Sequence, residues 1–231
     1  MLALSWSRIS DYRQCPHKFD LKYISKAPNF KMEDKDKSPA LVRGGNIHLQ
    51  CKDYVELKKI NKLTGGEIWD PSVQRVIPLI DNLMEHYSIM PEKQIAVDTD
   101  FKEVSWYDKN AYFRVIYDII GFGDVLLLGD YKTGKFADYG GTLKEMGQLH
   151  MSALIGMLLW PEFDECSSIY IFVDHKRTIP VKVDKSDVPQ MRDNLVREHE
   201  AICADDVLAP KANQYCKWCE ATREQCKHSK K

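Results

Sequence analysis

The sequence has no apolar run approaching the roughly 20 residues needed to cross a bilayer, so no membrane span is expected. Its start, Met1-Leu2-Ala3-Leu4-Ser5-Trp6-Ser7, lacks a basic segment and is too briefly apolar for a secretory leader. It also lacks an excess of either charge: 33 Lys and Arg stand against 34 Asp and Glu, a formal net charge of -1. Without an overall positive field, any binding of nucleic acid has to use a local basic groove. There is no internal repeat and no low-complexity tract, which excludes a repeat architecture.

What is present reads as a globular chain, with 44% apolar and 29% charged residues. Its 231 residues can bury one sizeable core, or one core and a small appendage. In the reducing cytoplasm expected for such a chain, seven cysteines point to metal or cluster ligation more than to disulfides.

Ser5 and Ser7 are candidate N-caps for a helix to about Ile24, with Ile9, Tyr12, Phe19 and Tyr23 near one face. Residues 26–42 carry two prolines and mixed charges and predict a loop. Helices are expected over about Gly45–Lys62 and after Pro71, where Val73, Ile77, Ile80, Leu83 and Met84 are spaced for burial. From about Gln94 the pattern turns to strands. Two apolar runs flank Gly121-Phe122-Gly123-Asp124, a hairpin signal, and being apolar on both faces they belong in mid-sheet. Thr142-Leu143-Lys144-Glu145 is a capping box for a helix to about Leu159, stopped by Pro161. Two strands follow within 167–183, then a helix from Ser186 to about Cys203 and a cysteine-rich tail. This order predicts one α/β domain with a central mixed sheet.

Asp118, Asp130 and Lys132 carry the chemical information. Carboxylates in apolar strands are costly unless paired or bound to a cation. Asp118 shares the face of Asp130 and Lys132 only if the hairpin loop is odd in length, for example Phe122-Gly123-Asp124. That register sets Asp118 diagonal to Asp130, roughly 7–8 Å between Cα atoms, close enough to share a divalent ion. Mg²⁺ or Mn²⁺ suits carboxylate, carbonyl and water oxygens, and Lys132 suits orientation of a water and stabilisation of negative charge. The plain alternative is a buried Asp130–Lys132 ion pair. Asp124 competes as the first acid, but it lies in the predicted turn.

Asp118, eleven residues, then Asp130-Tyr131-Lys132-Thr133-Gly134 resembles the PD-(D/E)XK nuclease motif in its RecB-family form. Ser5-Trp6-Ser7 through Tyr12, Cys15-Pro16, Phe19, Leu21 and Tyr23-Ile24 resembles that family's opening helix, and Gly44-Gly45-Asn46-Ile47-His48 its Gly…His segment. The resemblance implies a restriction-endonuclease-like mixed sheet flanked by helices, in one domain over residues 1–231. It implies that His48, Asp118, Asp130 and the carbonyl of Tyr131 ligate Mg or Mn, with Lys132 as the catalytic lysine. Lys144, Gln148 and Ser152 form a polar helical stripe, opposite Leu149, Ala153, Met157 and Leu158. The family places Gln-x-x-x-Tyr there, so Gln148 is carried over, while Ser152 departs from the tyrosine. A further family glutamate on the preceding strand has Asp98, Asp100 and Glu103 as candidates.

Cys216-Lys217-Trp218-Cys219 and Cys226 supply three thiolates, one short of a closed site, and Cys15 is the natural fourth. This is similar to the iron–sulfur nucleases of the RecB type, AddB and the Cas-four family among them. That resemblance implies a [4Fe–4S] cluster joining elements at about 5–24 and 210–228. Zinc at the same cysteines, with His228 as a substitute ligand, is the alternative. Cys51, Cys166 and Cys203 read as packing residues, and Tyr215 and Trp218 as cover for the site. The implied activity is metal-dependent DNA exonuclease action on single strands or duplex ends. Its setting would be recombination, repair, phage DNA processing or CRISPR adaptation, in a bacterial, archaeal or phage-infected cell. Protein partners from those processes or from replication are implied as well. A non-catalytic nucleic-acid-binding accessory protein on the same scaffold is the alternative, and retention of all three acidic-motif residues and His48 argues against it.

Overall fold

Proline chemistry interrupts the first helix. In the computed structural model, which describes residues 2–30, 38–134 and 147–231, α1 (Trp6–Gln14) ends at Cys15. The ring of Pro16 disfavours helical backbone in the residue before it, and Cys15 is extended, with φ -163° and ψ 108°. The short α2 (Pro16–Phe19) and a wider turn over Asp20–Ile24 complete the segment read as one helix.

Ser38 accepts a hydrogen bond from Leu41 N, and Pro39 opens α3 (Pro39–Lys59), so this helix starts before the expected Gly45. Asp70 caps α4 (Pro71–His86) through Ser72 N. The strands are β1 (Ser88–Val97), β2 (Glu103–Val104), β3 (Phe113–Phe122) and β4 (Leu126–Lys132). Then come α5 (described over Gly147–Leu159), β5 (Glu165–Phe172), β6 (Arg177–Asp184) and α6 (Val188–Cys203). The last helix follows a short turn at Lys185–Asp187 and has no side-chain cap, so Ser186 does not cap it. The predicted capping box at 142–145 and the lysines at 135 and 144 lie outside the described residues.

The six strands form one sheet in the order β2-β1-β3-β4-β5-β6, antiparallel throughout except for the parallel β4–β5 pair. As their two-sided apolar pattern requires, β3 and β4 are central. Ile120, Leu126 and Leu128 pack under α5 with Leu149 and Leu154. Ile119, Leu127 and Tyr131 face the other way, against Ile47, Cys51 and Val55 of α3 and Ile80 of α4. Helices thus cover both faces, and among the described residues no helix is long and apolar enough to cross a membrane.

At Gly129 a Cβ would collide with Ile119 of the neighbouring strand and lie 3.3 Å from Ile171. Gly129→Val is therefore expected to lower stability by about 2 kcal/mol through overpacking. Urea unfolding reads this out, and unchanged stability would show that Ile119 can move aside.

Candidate active site

The hairpin between β3 and β4 turns through Gly123-Asp124-Val125, with Phe122 opposite Leu126 and Ile119 opposite Gly129. The loop is odd, as the shared face requires, but its register differs by one step from the diagonal arrangement expected. Continued past Ile119–Gly129, it sets Asp118 directly across from Asp130. There the two strands part. Asp118 Oδ2 accepts a hydrogen bond from Tyr131 N at 2.7 Å, so a side chain takes over where the backbone ladder stops. Beyond the fork, β3 is met at Phe113 by the N-terminal segment: Leu4 N donates to Tyr112 O and Arg114 N donates to Leu4 O, each at 2.9 Å.

Helix α3 brings His48 to this fork. Gly44, one turn earlier on the same helix face, passes so close to β4 that a Cβ would lie 3.1 Å from Thr133 Oγ1. His48 Nδ1 stands 3.1 Å from Asp118 Oδ1. Helix α5 brings Gln148, whose Nε2 donates to Asp130 Oδ1 at 2.6 Å and whose Oε1 accepts from Lys132 Nζ at 3.1 Å. Lys132 Nζ is 2.8 Å from Asp130 Oδ2. The six sequence candidates for the acidic site, His48, Asp118, Asp130, Tyr131, Lys132 and Gln148, therefore converge.

Burial pushes the Asp130 carboxyl above the usual carboxylate range, and Asp118 adds to the rise against the pull of Lys132. Burial draws the His48 imidazole down. Its hydrogen bond to Asp118 and the charges of Asp118 and Asp130 outweigh that, and its pKa is raised. Both groups hold protons more tightly than usual, Asp130 chiefly because burial disfavours its charged form and His48 because Asp118 and Asp130 face it. The carboxylate oxygens of Asp118 and Asp130 fit a hard divalent ion by charge and donor type, and His48 can add a ring nitrogen once its proton is lost. Among the described residues, no three His, Cys, Asp or Glu side chains are grouped to hold one ion as they stand. Gln148 and Lys132 face the two oxygens of Asp130.

Two clefts meet at this wall. One, of about 460 Å³, is lined by Gly44, Gly45, His48, Glu92, Asp130 and Lys132. The other, of about 540 Å³, runs from His48, Asp118, Asp130 and Gln148 to the N-terminal segment.

The cysteines form a separate arrangement. Cys15, Cys216, Cys219 and Cys226 line one cavity of about 630 Å³ with His17 and His228. All four thiols are partly buried and free of disulfides. Lys211 N donates to Cys15 Sγ and Asn213 N to Cys216 Sγ, each at 3.4 Å. The chain ends are also tied without any ligand: Asn213 Nδ2 donates to Gln14 O at 3.0 Å, and His17 Nε2 lies 2.8 Å from Gln225 O. Four soft thiol donors around one cavity fit a thiolate-bound group by chemistry. Cys51 and Cys166 are buried, and burial pushes each thiol up to about 12. Cys203 departs from expectation: it is exposed at the end of α6.

The model of the PD-(D/E)XK nuclease superfamily matches residues 3–227. The chain belongs to that superfamily. Solved structures agree at the level of fold. One is titled SSO0001, with 14% identity, TM-score 0.50, and 95% of this chain covering 84% of that one. Another is a "putative exonuclease" from Eubacterium rectale, with 13% identity, TM-score 0.52, and 94% of this chain covering 86% of that one. No curated protein matches the sequence.

Two residues beside the PD-(D/E)XK motif escaped the sequence reading. Pro91 opposite Ile119 and Lys93 opposite Tyr117 set Glu92 across from Asp118 on the same face, and Glu92 lines the smaller cleft. Asp98, Asp100 and Glu103 sit elsewhere. Asp98 Oδ1 accepts from Asp100 N and Lys102 N in the turn after β1, and Glu103 pairs with Lys93. The sequence pattern predicts strands only from about Gln94, whereas β1 begins at Ser88. Strand β2 covers β1 only at Ala96 and Val97, so Pro91 lies on an open edge where a proline is tolerated. The second residue is Tyr170 of β5, opposite Asp130, whose hydroxyl donates to Gln148 Oε1 at 3.3 Å. No local signal marks it, since parallel pairing joins distant segments.

Proposed function

We propose that this protein is a metal-dependent DNA exonuclease that hydrolyses phosphodiester bonds at single-stranded or duplex ends. The observation that carries the reading is the hydrogen-bonded set of His48, Asp118, Asp130, Lys132 and Gln148 on the wall shared by two clefts. The exonuclease name of a solved structure with the same fold supports the choice of ends.

His48, Asp118, Asp130 and the carbonyl of Tyr131 would hold Mg²⁺ or Mn²⁺, with Glu92 close by. Such an ion activates a water, neutralises the phosphate and stabilises the leaving oxygen. Lys132 orients the attacking water and stabilises charge growing on the phosphate oxygens. Gln148 is a positioning residue: it holds Asp130 with its amide and Lys132 with its carbonyl, and Tyr170 fixes that carbonyl in turn. Lys132 Nζ also sits 4.6 Å from the Tyr170 ring centroid.

Cys15, Cys216, Cys219 and Cys226 would hold a [4Fe–4S] cluster as a structural clasp. A zinc ion on the same four cysteines is the alternative occupant, and the metal content and colour of anaerobically purified protein separate the two.

The test is cleavage of end-labelled DNA with Mn²⁺ by the wild type, Asp130→Ala and Lys132→Ala. Both variants are expected to lose at least about a hundredfold in rate. Full cleavage by both would remove the acidic hairpin from the active site, and metal-independent binding without cleavage by the wild type would favour an accessory protein.

A further inference from the structure

The larger cleft opens through the fork between β3 and β4, and its far end carries features that the hydrolytic set does not use. Arg114, Ile116 and Asp118 are alternate residues of β3 and line the cleft together. Ile116 is 44% exposed there, between the cation and the acid. Across from them, the segment held to β3 through Leu4 contributes Trp6 and Arg8, and the loop after β2 contributes Trp106.

Neither arginine has a carboxylate partner among the described residues. Arg8 donates to the carbonyl of Ala3 and lies 5.0 Å from the Tyr23 ring centroid. Arg114 stands 5.6 Å from the Trp106 ring centroid, and among the described residues its buried Nε has no hydrogen-bond partner. Burial, and then the charge of Arg114, draw the Arg8 guanidinium below its usual range, so two like charges share one partly dried place. By contrast, Arg13 pairs with Glu198 and Arg43 with Asp174. Two close guanidinium groups with no internal anion form an anion-binding site. The indole of Trp106 beside it is a stacking platform for a base, and an exposed apolar residue completes a surface for an unpaired strand.

We propose that Arg8 and Arg114 bind one backbone phosphate of a single nucleic-acid strand, with Trp106 stacking on a flanking base, and that this subsite leads the strand into the acidic fork. The assignment rests on the nuclease reading for the identity of the fork. The strand rise puts Arg114 about 13 Å from Asp118, with room for roughly one or two nucleotides between them. A duplex meets the same arginines with its bases paired and unavailable to the indole, so the subsite selects the single strand.

The experiment measures binding in EDTA, where the hydrolytic metal plays no part. Fluorescence anisotropy of a labelled oligothymidylate and of a blunt hairpin duplex is followed against salt for the wild type, Arg8→Gln, Arg114→Gln, the double change and Trp106→Leu. Arg8→Lys and Arg114→Lys keep the charge and serve as variants that fold if the glutamines do not. Each Arg→Gln change is expected to weaken single-strand binding roughly tenfold and to lower the salt slope, and the double change to reduce the slope by about 0.7, the contribution of one phosphate. Trp106→Leu is expected to weaken it roughly tenfold with the slope unchanged, and the lysine variants to keep the slope. Unchanged affinity and slope in the glutamine variants would overturn the subsite, as would duplex binding as tight as single-strand binding. Binding that fails in the arginine variants while the wild type shows no Mn²⁺-dependent cleavage would keep the subsite and sink the nuclease reading instead.

Discussion

Asp118→Asn is expected to reduce Mn²⁺-dependent cleavage by about three orders of magnitude while the fold survives. The substitution removes charge and very little else. Asp118 Oδ2 accepts from Tyr131 N at 2.7 Å, and Oδ1 faces His48 Nδ1 at 3.1 Å. An asparagine carbonyl can take the first contact, and its amide can donate to a neutral His48 in the second, so the backbone bond at the fork persists. The loss then falls on the acidic set. With one carboxylate gone, Asp130 no longer feels a like charge beside it, and His48 loses the partner that holds its pKa up. The site becomes less basic towards protons and a poorer host for a divalent ion by the same physics. Cleavage rates on end-labelled DNA, with a thermal melt of each protein, read both consequences. A wild-type rate in a folded Asp118→Asn protein removes this carboxylate from catalysis.

Cys15→Ser is the second large effect. If the four thiols hold one cluster, losing one should abolish visible-range absorption and most bound iron in anaerobically purified protein. It also opens a clasp between residues 15 and 216. Closing a loop of that size is worth on the order of 5 kcal/mol by chain entropy, which for a domain of this size corresponds to roughly 10–20 °C in Tm. The direct bonds of Asn213 to Gln14 and of His17 to Gln225 remain and keep the ends near each other. The expected outcome is therefore a weakened fold, not an unfolded chain. Cys203→Ser, exposed on α6, should change neither reading. Colourless wild-type protein containing zinc, or equal Tm values for the Cys15 and Cys203 variants, would dispose of the cluster.

Much of this architecture is legible along the chain. Asp118 and Asp130-Tyr131-Lys132 stand in apolar strands where charge is expensive, so a purpose could be read from pattern. The two-sided apolar runs announced central strands, and Pro71 announced α4. Boundaries read less well. Cys15-Pro16 breaks a helix whose apolar spacing runs on past it, and Ser38-Pro39 starts α3 before the glycine pair that resembled its beginning. Glu92 is missed because strands are expected only from about Gln94, while β1 starts at Ser88 and admits Pro91 on its open edge.

The sequence by itself determined which side chains bear the chemistry and which strands must be buried, because both follow from local cost: a carboxylate among apolar residues, an alternation of two, a thiol spaced from a thiol. Only the tertiary structure decided how these meet. The three-residue loop fixed Asp118 opposite Asp130, and parallel pairing brought Tyr170 beside Gln148. The parting of β3 from β4 opened a cleft with two arginines that have no carboxylate partner among the described residues. Each of those outcomes depends on contacts between residues far apart in sequence, and separation along a chain carries no record of proximity in space.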